Sequence, residues 1–369
     1  MKDHNLVKDF RSKEIIAEKL PLLDHSGDSV KGLFNFWIIL DNPGQLNSFT
    51  TNMLKELILA LRQASNDRSV VAVIFTGAGE RAFCSGGNTV EYADYYAGNP
   101  QEYKQYMRLF NDLITGILLC DKPVINRVNG LRIAGGQEIG MACDFSIAAD
   151  TAVFGQAGPK HGSVPDGGAT DFLDLFVGIG NSLEANALCE RWSAHKALRL
   201  GLINRIVPVL RTREGKFIPN PLVTLSETDK FGRPCFGAFL AGEEEKKARE
   251  IAGGCWTDFT ALDIEVETMA YSLALTMPGC LMKTIESVRK KKLECWQRNC
   301  ETNRSWLALN MMTEARAGFK AFNEGEKDRR EVDFITLRRL LAKGTPWTEI
   351  DIEDIMPRKK GKKTIKNGR

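Results

Sequence analysis

The chain has 369 residues, 43% of them hydrophobic and 26% charged, with a formal net charge of +3. These are ordinary values for a globular protein with room for a full core, and length alone points to two domains. The nine cysteines include no Cys-x-x-Cys pair, which disfavours a zinc site or a disulfide framework and fits reduced thiols. No run of about 18 apolar residues occurs, and "MKDHNLVKDFRSKEII" lacks the apolar core of a signal peptide, so a cytoplasmic protein with no membrane partner is expected.

The apolar runs 34–40, 69–77, 122–130 and 144–155 have strand length and are bounded by Gly, Pro, Asn or Asp. Helical spacing appears at Phe49–Ala64, Pro100–Cys120 and Asn181–Gly201. The alternation predicts an α/β core over residues 34–209, preceded by an extension at 1–33. Residues 210–262 break into Pro, Gly and charge clusters and are expected to be an insertion that covers a pocket or an interface. A helical region follows at 263–340, interrupted at "TMPGC", and an extension at 341–369 closes the chain. Its last twelve residues hold seven Lys or Arg and no acid, leaving 43 basic against 47 acidic residues before them, or −4. Such a tail is either a solvated terminus or an anion-binding arm, so nucleic-acid binding is kept as the non-enzymatic alternative.

Gly77-Ala-Gly79-Glu-Arg-Ala82 follows a strand and fits a loose dinucleotide fingerprint, but "FCSGGN" follows where the helix of that motif should begin. Two glycine clusters offer a better reading. "FCSGGN" (83–88) and "IAGGQE" (133–138) each follow a β-rich run and precede a helical pattern. Glycine permits close backbone approach to a ligand, and the N-terminus of a helix leaves peptide N–H groups unpaired. Two such groups converging on one oxygen would stabilise an oxyanion, with the carboxylate of Glu138 one helical turn behind.

"AFCSGGN", followed by "NGLRIAGGQEIGMACDFSIAADTAVFGQ" and, near the C-terminus, "ARAGFKAF", resembles the crotonase (enoyl-CoA hydratase/isomerase) superfamily. The resemblance implies a spiral of strand-strand-helix turns with a C-terminal helical trimerisation region. It also implies an acyl-CoA substrate whose coenzyme A needs no further cofactor or metal, and a homotrimer or homohexamer. By position, Gly87 and Gly135 would supply the oxyanion-hole N–H groups, and Glu138 would be the first of two catalytic glutamates. Gly158 stands where the second is expected, which speaks against simple hydration. "GPKHGSVPDGG" is similar to the GPKxGSFDGG pattern of the dihydroxynaphthoyl-CoA synthases, offering Asp166, assisted by His161, as the replacement acid/base group. Asn88 would contact substrate or water, or only satisfy its own loop. Leu46, Asn47, Ala82, Phe83 and Ser85 would hold the pantetheine and adenine, with Arg81 and Lys320 as candidates for the phosphates. The tyrosines at 92, 95, 96, 103 and 106 would wall the acyl pocket or pack against C-terminal helices. Through the N-terminal extension, "CSGGNTVEYADYYAGNPQEYKQYMRLFNDL", "AGPKHGSVPDGGATDFLDLF" and the insertion at 210–262, nearly the whole chain resembles the ring-opening acyl-CoA hydrolases of anaerobic benzoyl-CoA degradation. That implies hydration of a ring double bond followed by hydrolytic cleavage of a ring carbon–carbon bond. Another crotonase-type hydratase, or a ring-forming synthase or lyase, is the alternative within the superfamily.

Overall fold

The computed structural model describes residues 3–8 and 10–357. The basic tail, with the nucleic-acid reading that depends on it, lies outside the described residues. Strands β1 (Ile15–Leu23) and β2 (Ser29–Leu40) form an antiparallel hairpin. Its turn is held by Asp24 Oδ1, which accepts the N–H groups of Ser26 and Asp28, with Gly27 at φ +83°. This hairpin crosses residue 34, so the N-terminal segment contributes an edge strand to the core sheet.

Helix α1 (Thr51–Asn66) starts where the Thr50 hydroxyl accepts the Met53 N–H, and it buries Met53, Leu54, Leu57, Leu61 and Ala64 on one face. It leads into β3 (Val70–Gly77), whose run VVAVIFTG is buried at all but one position, as expected for a parallel strand covered on both faces. The chain then makes three similar excursions. β4 (Ala82–Cys84) leads to the three-residue turn α2 (Thr89–Glu91) and to α3 (Pro100–Leu118). β5 (Val124–Val128) and β6 (Leu131–Ile133) lead to α4 (Gly135–Ala142). β7 (Phe145–Ala149) and β8 (Val153–Gly155) lead to α5 (Ala169–Leu188), followed by β9 (Arg191–Ser193), α6 (Ala194–Arg199) and β10 (Arg205–Val207).

The six-stranded sheet runs β1-β2-β3-β5-β7-β10, parallel from β2 onward, and the four-stranded sheet runs β4-β6-β8-β9 with β4, β6 and β8 parallel. Each excursion therefore gives one strand to each sheet before its helix. The single run expected over 144–155 is two strands because Asp150-Thr151 turns the chain from one sheet to the other. The helix expected over 181–201 begins earlier, at Ala169, and ends at Leu188. Ser193 then caps α6 by accepting the Lys196 N–H.

Residues 210–262 are not featureless. They hold β11 (Leu210–Arg211), β12 (Phe217–Ile218) and β13 (Trp256–Thr257) in a small antiparallel sheet, plus the charged helix α7 (Gly242–Gly253). Beyond them come α8 (Thr260–Ala274), the 33-residue α9 (Pro278–Asn310) and α10 (Glu314–Glu324). α9 is locked to the core by buried cations. Arg289 pairs with Asp144, and Lys292 Nζ donates to the carbonyls of Met141, Ala142 and Cys143 at 2.9, 3.3 and 2.9 Å, satisfying the end of α4. Among the described residues no helix is long and apolar enough to cross a membrane.

Candidate active site

The carboxyl ends of β4, β6 and β8 converge on one cavity of about 260 Å³. β4 delivers Ser85 and Gly87, β6 delivers Ala134, Gly135 and, one turn into α4, Glu138, and β8 delivers the loop Gln156 to Gly167. α3 contributes Tyr103, Met107 and Phe110 to the wall, and α10 contributes Phe319 and Phe322. This answers the spacing of the two glycine clusters: they are consecutive strand ends of one parallel sheet, 45 or so residues apart in sequence because an α-helical crossover separates parallel strands.

The Gly87 and Gly135 N–H groups find no acceptor among the described residues, and both glycines border the cavity. Side chains are barred from both positions. A Cβ on Gly87 would overlap the Tyr92 hydroxyl, and one on Gly135 would meet Phe49 Cζ at 2.7 Å. Ala134 is bent to φ +51°, ψ −127°, a conformation uncommon for a residue with a side chain, and this bend turns the chain from β6 into α4 and sets the direction of the Gly135 N–H.

Glu138 is buried at the cavity edge, and its Oε1 accepts the N–H of Gly167 at 2.9 Å and of Ala169 at 3.4 Å. Burial pushes its carboxyl up to about 8, against the pull of those two N–H groups, with the charges of Asp166 and Asp171 adding to the rise. His161 also borders the cavity, edge-on to Phe322. Its Nδ1 lies 2.8 Å from the Ala157 carbonyl, which can only accept, so Nδ1 carries the proton and Nε2 keeps its lone pair. Burial holds the imidazole below its ordinary value, which keeps it a neutral base.

The second hydratase glutamate has no room here. A Cβ on Gly158 would collide with the Ser163 carbonyl, because the loop folds back so that the Gly158 carbonyl accepts the N–H groups of both His161 and Ser163. The loop is also pressed onto α10, where a Cβ on Gly318 would strike the His161 carbonyl.

Several expected contacts lie elsewhere. Asp166 sits in the same loop, but the cavity wall there is Pro165 and Gly167; its Oδ1 accepts the Thr170 hydroxyl at 2.7 Å and burial raises its carboxyl. Asn88 is a cap, its Oδ1 accepting the N–H groups of Val90 and Glu91 and its Nδ2 donating to Gln45 Oε1. Asn47 is fully buried and donates to the Ala78 and Ala82 carbonyls, so the Ala82 carbonyl is already engaged. Phe83 points into the core against Phe75. Leu46, at φ +55°, and Ser85 do border the cavity. Arg81 is exposed away from it, and Lys320 is paired with Glu324 and Glu353.

The cations beside the site are ones the sequence did not mark. A second compartment of about 710 Å³ adjoins the first along Ile133, Gln156, Ala157, His161 and Phe322, and Lys160, Arg191, Lys327 and Arg330 line it. No residue of 210–262 lines either compartment, so the insertion does not cover the pocket in this structure. Among the described residues no group of three or more His, Cys, Asp and Glu is placed to hold a metal ion.

Two unblocked peptide N–H groups at the ends of parallel strands, with a buried glutamic acid beside them, match a known class. Residues 36–216 fit the family model described as enoyl-CoA hydratase/isomerase, and the chain belongs to that family. The fold agrees. A solved enoyl-CoA hydratase from Mycobacterium avium subsp. paratuberculosis K-10 superposes with a TM-score of 0.61 at 20% identity, covering 87% of this chain and 98% of that one. An enoyl-CoA hydratase/isomerase from Xanthobacter autotrophicus Py2 gives 0.61 at 22% identity, covering 90% and 97%.

Within the family the similarity is narrower. The chain is 56% identical over 363 residues to 6-oxocyclohex-1-ene-1-carbonyl-CoA hydrolase of Geobacter metallireducens, covering 97% of this chain and 95% of that one. The proteins of the same name from Thauera aromatica and Syntrophus aciditrophicus are 56% and 46% identical, over 96% and 92% of this chain and 94% and 91% of theirs.

Proposed function

We propose that the protein adds water to the ring double bond of 6-oxocyclohex-1-ene-1-carbonyl-CoA and then opens the ring hydrolytically, giving 3-hydroxypimeloyl-CoA. The observation that carries this reading is the pairing, in one cavity, of Glu138 and His161 where Gly158 leaves no space for the hydratase glutamate. The names of the relatives at 46–56% identity support it.

In the first step ionised Glu138 takes a proton from water as its oxygen bonds to the β-carbon of the enoyl thioester. The displaced electron pair moves to the thioester oxygen, held by the N–H groups of Gly87 and Gly135. Glu138 then gives that proton to the α-carbon, which completes the hydration and restores its carboxylate. In the second step His161 Nε2 takes a proton from a second water as it attacks the ring ketone. The bond between the ketone carbon and the α-carbon then breaks, and its electron pair returns to the same thioester enolate. One oxyanion hole thus serves both steps. Asp166 stands behind Glu138, its charge helping to keep that carboxyl high.

Arg191 and Arg330 in the adjoining compartment, where Lys160 is already paired with Glu331, suit the phosphates of coenzyme A, which enters only as part of the substrate. The free cysteines fit a cytoplasmic setting. A homotrimer or homohexamer is the assembly we favour, since α5 leaves Leu175, Ile179, Leu183 and Leu188 exposed along its length. Light scattering that returns a monomer mass would discard it.

The test of function is turnover of 6-oxocyclohex-1-ene-1-carbonyl-CoA in heavy-oxygen water, read by mass. Two waters and two labelled oxygens in the product are expected. One water would make the protein a hydratase with an unusual acid/base pair, and none would remove the proposed substrate.

A further inference from the structure

The ring-opening step creates a second oxyanion that the two glycine N–H groups do not cover. When water attacks the ring ketone, the carbonyl electron pair moves onto the ketone oxygen, while the thioester oxygen already occupies the glycine pair. In a 1,3-dicarbonyl turned syn, the two oxygens are neighbours, so a donor for the second must stand directly beside the first oxyanion hole.

Tyr92 stands there. A Cβ on Gly87 would overlap the Tyr92 hydroxyl and would lie 2.8 Å from the Tyr106 hydroxyl, so both phenols abut the first oxyanion-hole residue. Tyr92 borders the cavity and Tyr106 does not. The two hydroxyls are 2.7 Å apart. Tyr106 is 1% exposed and bonds Tyr92, either hydroxyl being able to donate, and Tyr103 bonds the Tyr92 hydroxyl as well; an oxyanion arriving in the cavity would draw the Tyr92 hydrogen, with Tyr106 and Tyr103 then donating to the Tyr92 lone pairs. Local backbone aims the ring: Asn88 caps α2 and its carbonyl accepts the Tyr92 N–H at 3.0 Å, after which Tyr92–Tyr96 makes a π-helical turn, a geometry often found at functional sites. Phe319, Tyr96, Tyr103 and Tyr106 pack around the Tyr92 ring and fix its position. Burial, with the neighbouring phenols, holds Tyr92 well above its ordinary value, so it is a neutral donor at any working pH.

We propose that the Tyr92 hydroxyl is the oxyanion donor for the ring ketone, oriented by Tyr106, and that it serves ring opening but not hydration. This rests on the proposed reaction. Water oxygen bonds to the ketone carbon and its proton goes to His161 Nε2. The carbonyl pair becomes an alkoxide held by the Tyr92 O–H. The alkoxide then re-forms a carbonyl as the ring bond breaks toward the thioester enolate, which takes up a proton at carbon, so one water is consumed and no redox partner is needed.

The experiment is single-turnover mass analysis of wild type, Tyr92→Phe and Tyr106→Phe on 6-oxocyclohex-1-ene-1-carbonyl-CoA. Tyr92→Phe is expected to form the one-water adduct within about 3-fold of the wild-type rate and to open the ring about 100-fold more slowly, as for loss of one oxyanion donor. The hydroxylated ring then accumulates. Tyr106→Phe, a positioning variant, should show the same accumulation to a smaller degree and should be rescued in neither step by pH. Should Tyr92→Phe fail to fold by circular dichroism, Tyr106→Phe decides by the same split. Ring opening at the wild-type rate, or equal loss in both steps, would overturn the assignment while leaving the reaction standing. A wild type that adds no water at all would overturn the reaction itself.

Discussion

Replacing Glu138 by Gln should make the protein more stable at alkaline pH while stopping catalysis. The carboxyl stands at about 8 in the folded chain and at an ordinary value of 4.5 when exposed, and burial is the main cause. Between those two values the folded state holds a proton that the unfolded state has lost, so rising pH favours unfolding. Above about 8 both states are ionised and the penalty is constant. Worked between pH 6 and pH 8, the group removes about 2 kcal/mol from wild-type stability. Gln has no such term, and its amide oxygen can still accept the Gly167 and Ala169 N–H groups that Glu138 now engages. Urea denaturation of wild type and Glu138→Gln at pH 6, 7 and 8 should therefore diverge by that amount, with the variant relatively more stable at pH 8. The same group predicts the activity profile: as a base it must be ionised, so wild-type kcat/KM should climb through about pH 8 and then level. Parallel stability curves for the two proteins would refute the argument, because the carboxyl would then titrate normally.

Lys292→Met leaves three buried carbonyls at the end of α4 without their donor and should cost about 2 to 4 kcal/mol in urea denaturation. A loss below about 0.5 kcal/mol would mean that water replaces the ammonium. Gly158→Glu restores the hydratase residue by type but collides with the Ser163 carbonyl, so ring opening should fall at least about 10-fold with no gain of hydration on a straight-chain enoyl-CoA. Ala134→Gly relieves a positive φ and should raise stability by about 0.5 to 1 kcal/mol, whereas Ala134→Val should lower it. Thermal melts of the pair, moving in the same direction, would contradict the strained conformation.

What the sequence made legible was mostly backbone. Gly87 and Gly135 follow strands and lack space for a Cβ, and such positions announce themselves as glycine whatever surrounds them. Glu138 follows from Gly135 by one helical turn, so its place on the cavity edge was readable too. Side-chain direction was not. Asp166 and His161 are five residues apart in one loop, yet Thr170 claims the first and the Ala157 carbonyl turns the second toward the cavity. Asn88 was open between a substrate contact and a loop role, and Asn47 was a coenzyme A contact by family position; the positions of Val90, Glu91, Ala78 and Ala82 show that both amides are used within the loops. The cations Arg191 and Arg330 carried no local signal, since what places them at the site is the path of β9 and of the chain beyond α10, both distant in sequence from the glycines.

One loop and one turn shape the acid/base side of the proposed site. Removing the side chain at Gly158 lets residues 158–167 fold inward against α10, which carries His161 to the cavity and sets the Gly167 N–H on Glu138. The turn after Gly87 ends in a π-helical segment, Tyr92–Tyr96, which sets the Tyr92 hydroxyl against Gly87. In the proposed reaction the enolate held by two N–H groups needs neither feature. The proposed water attack on the ring ketone uses both, because it requires a base for a second water and a donor for a second oxygen. A double variant, His161→Gln with Tyr92→Phe, should therefore still form the one-water adduct from the ring substrate while releasing no ring-opened product. Loss of that first adduct would show instead that loop and turn serve hydration as well.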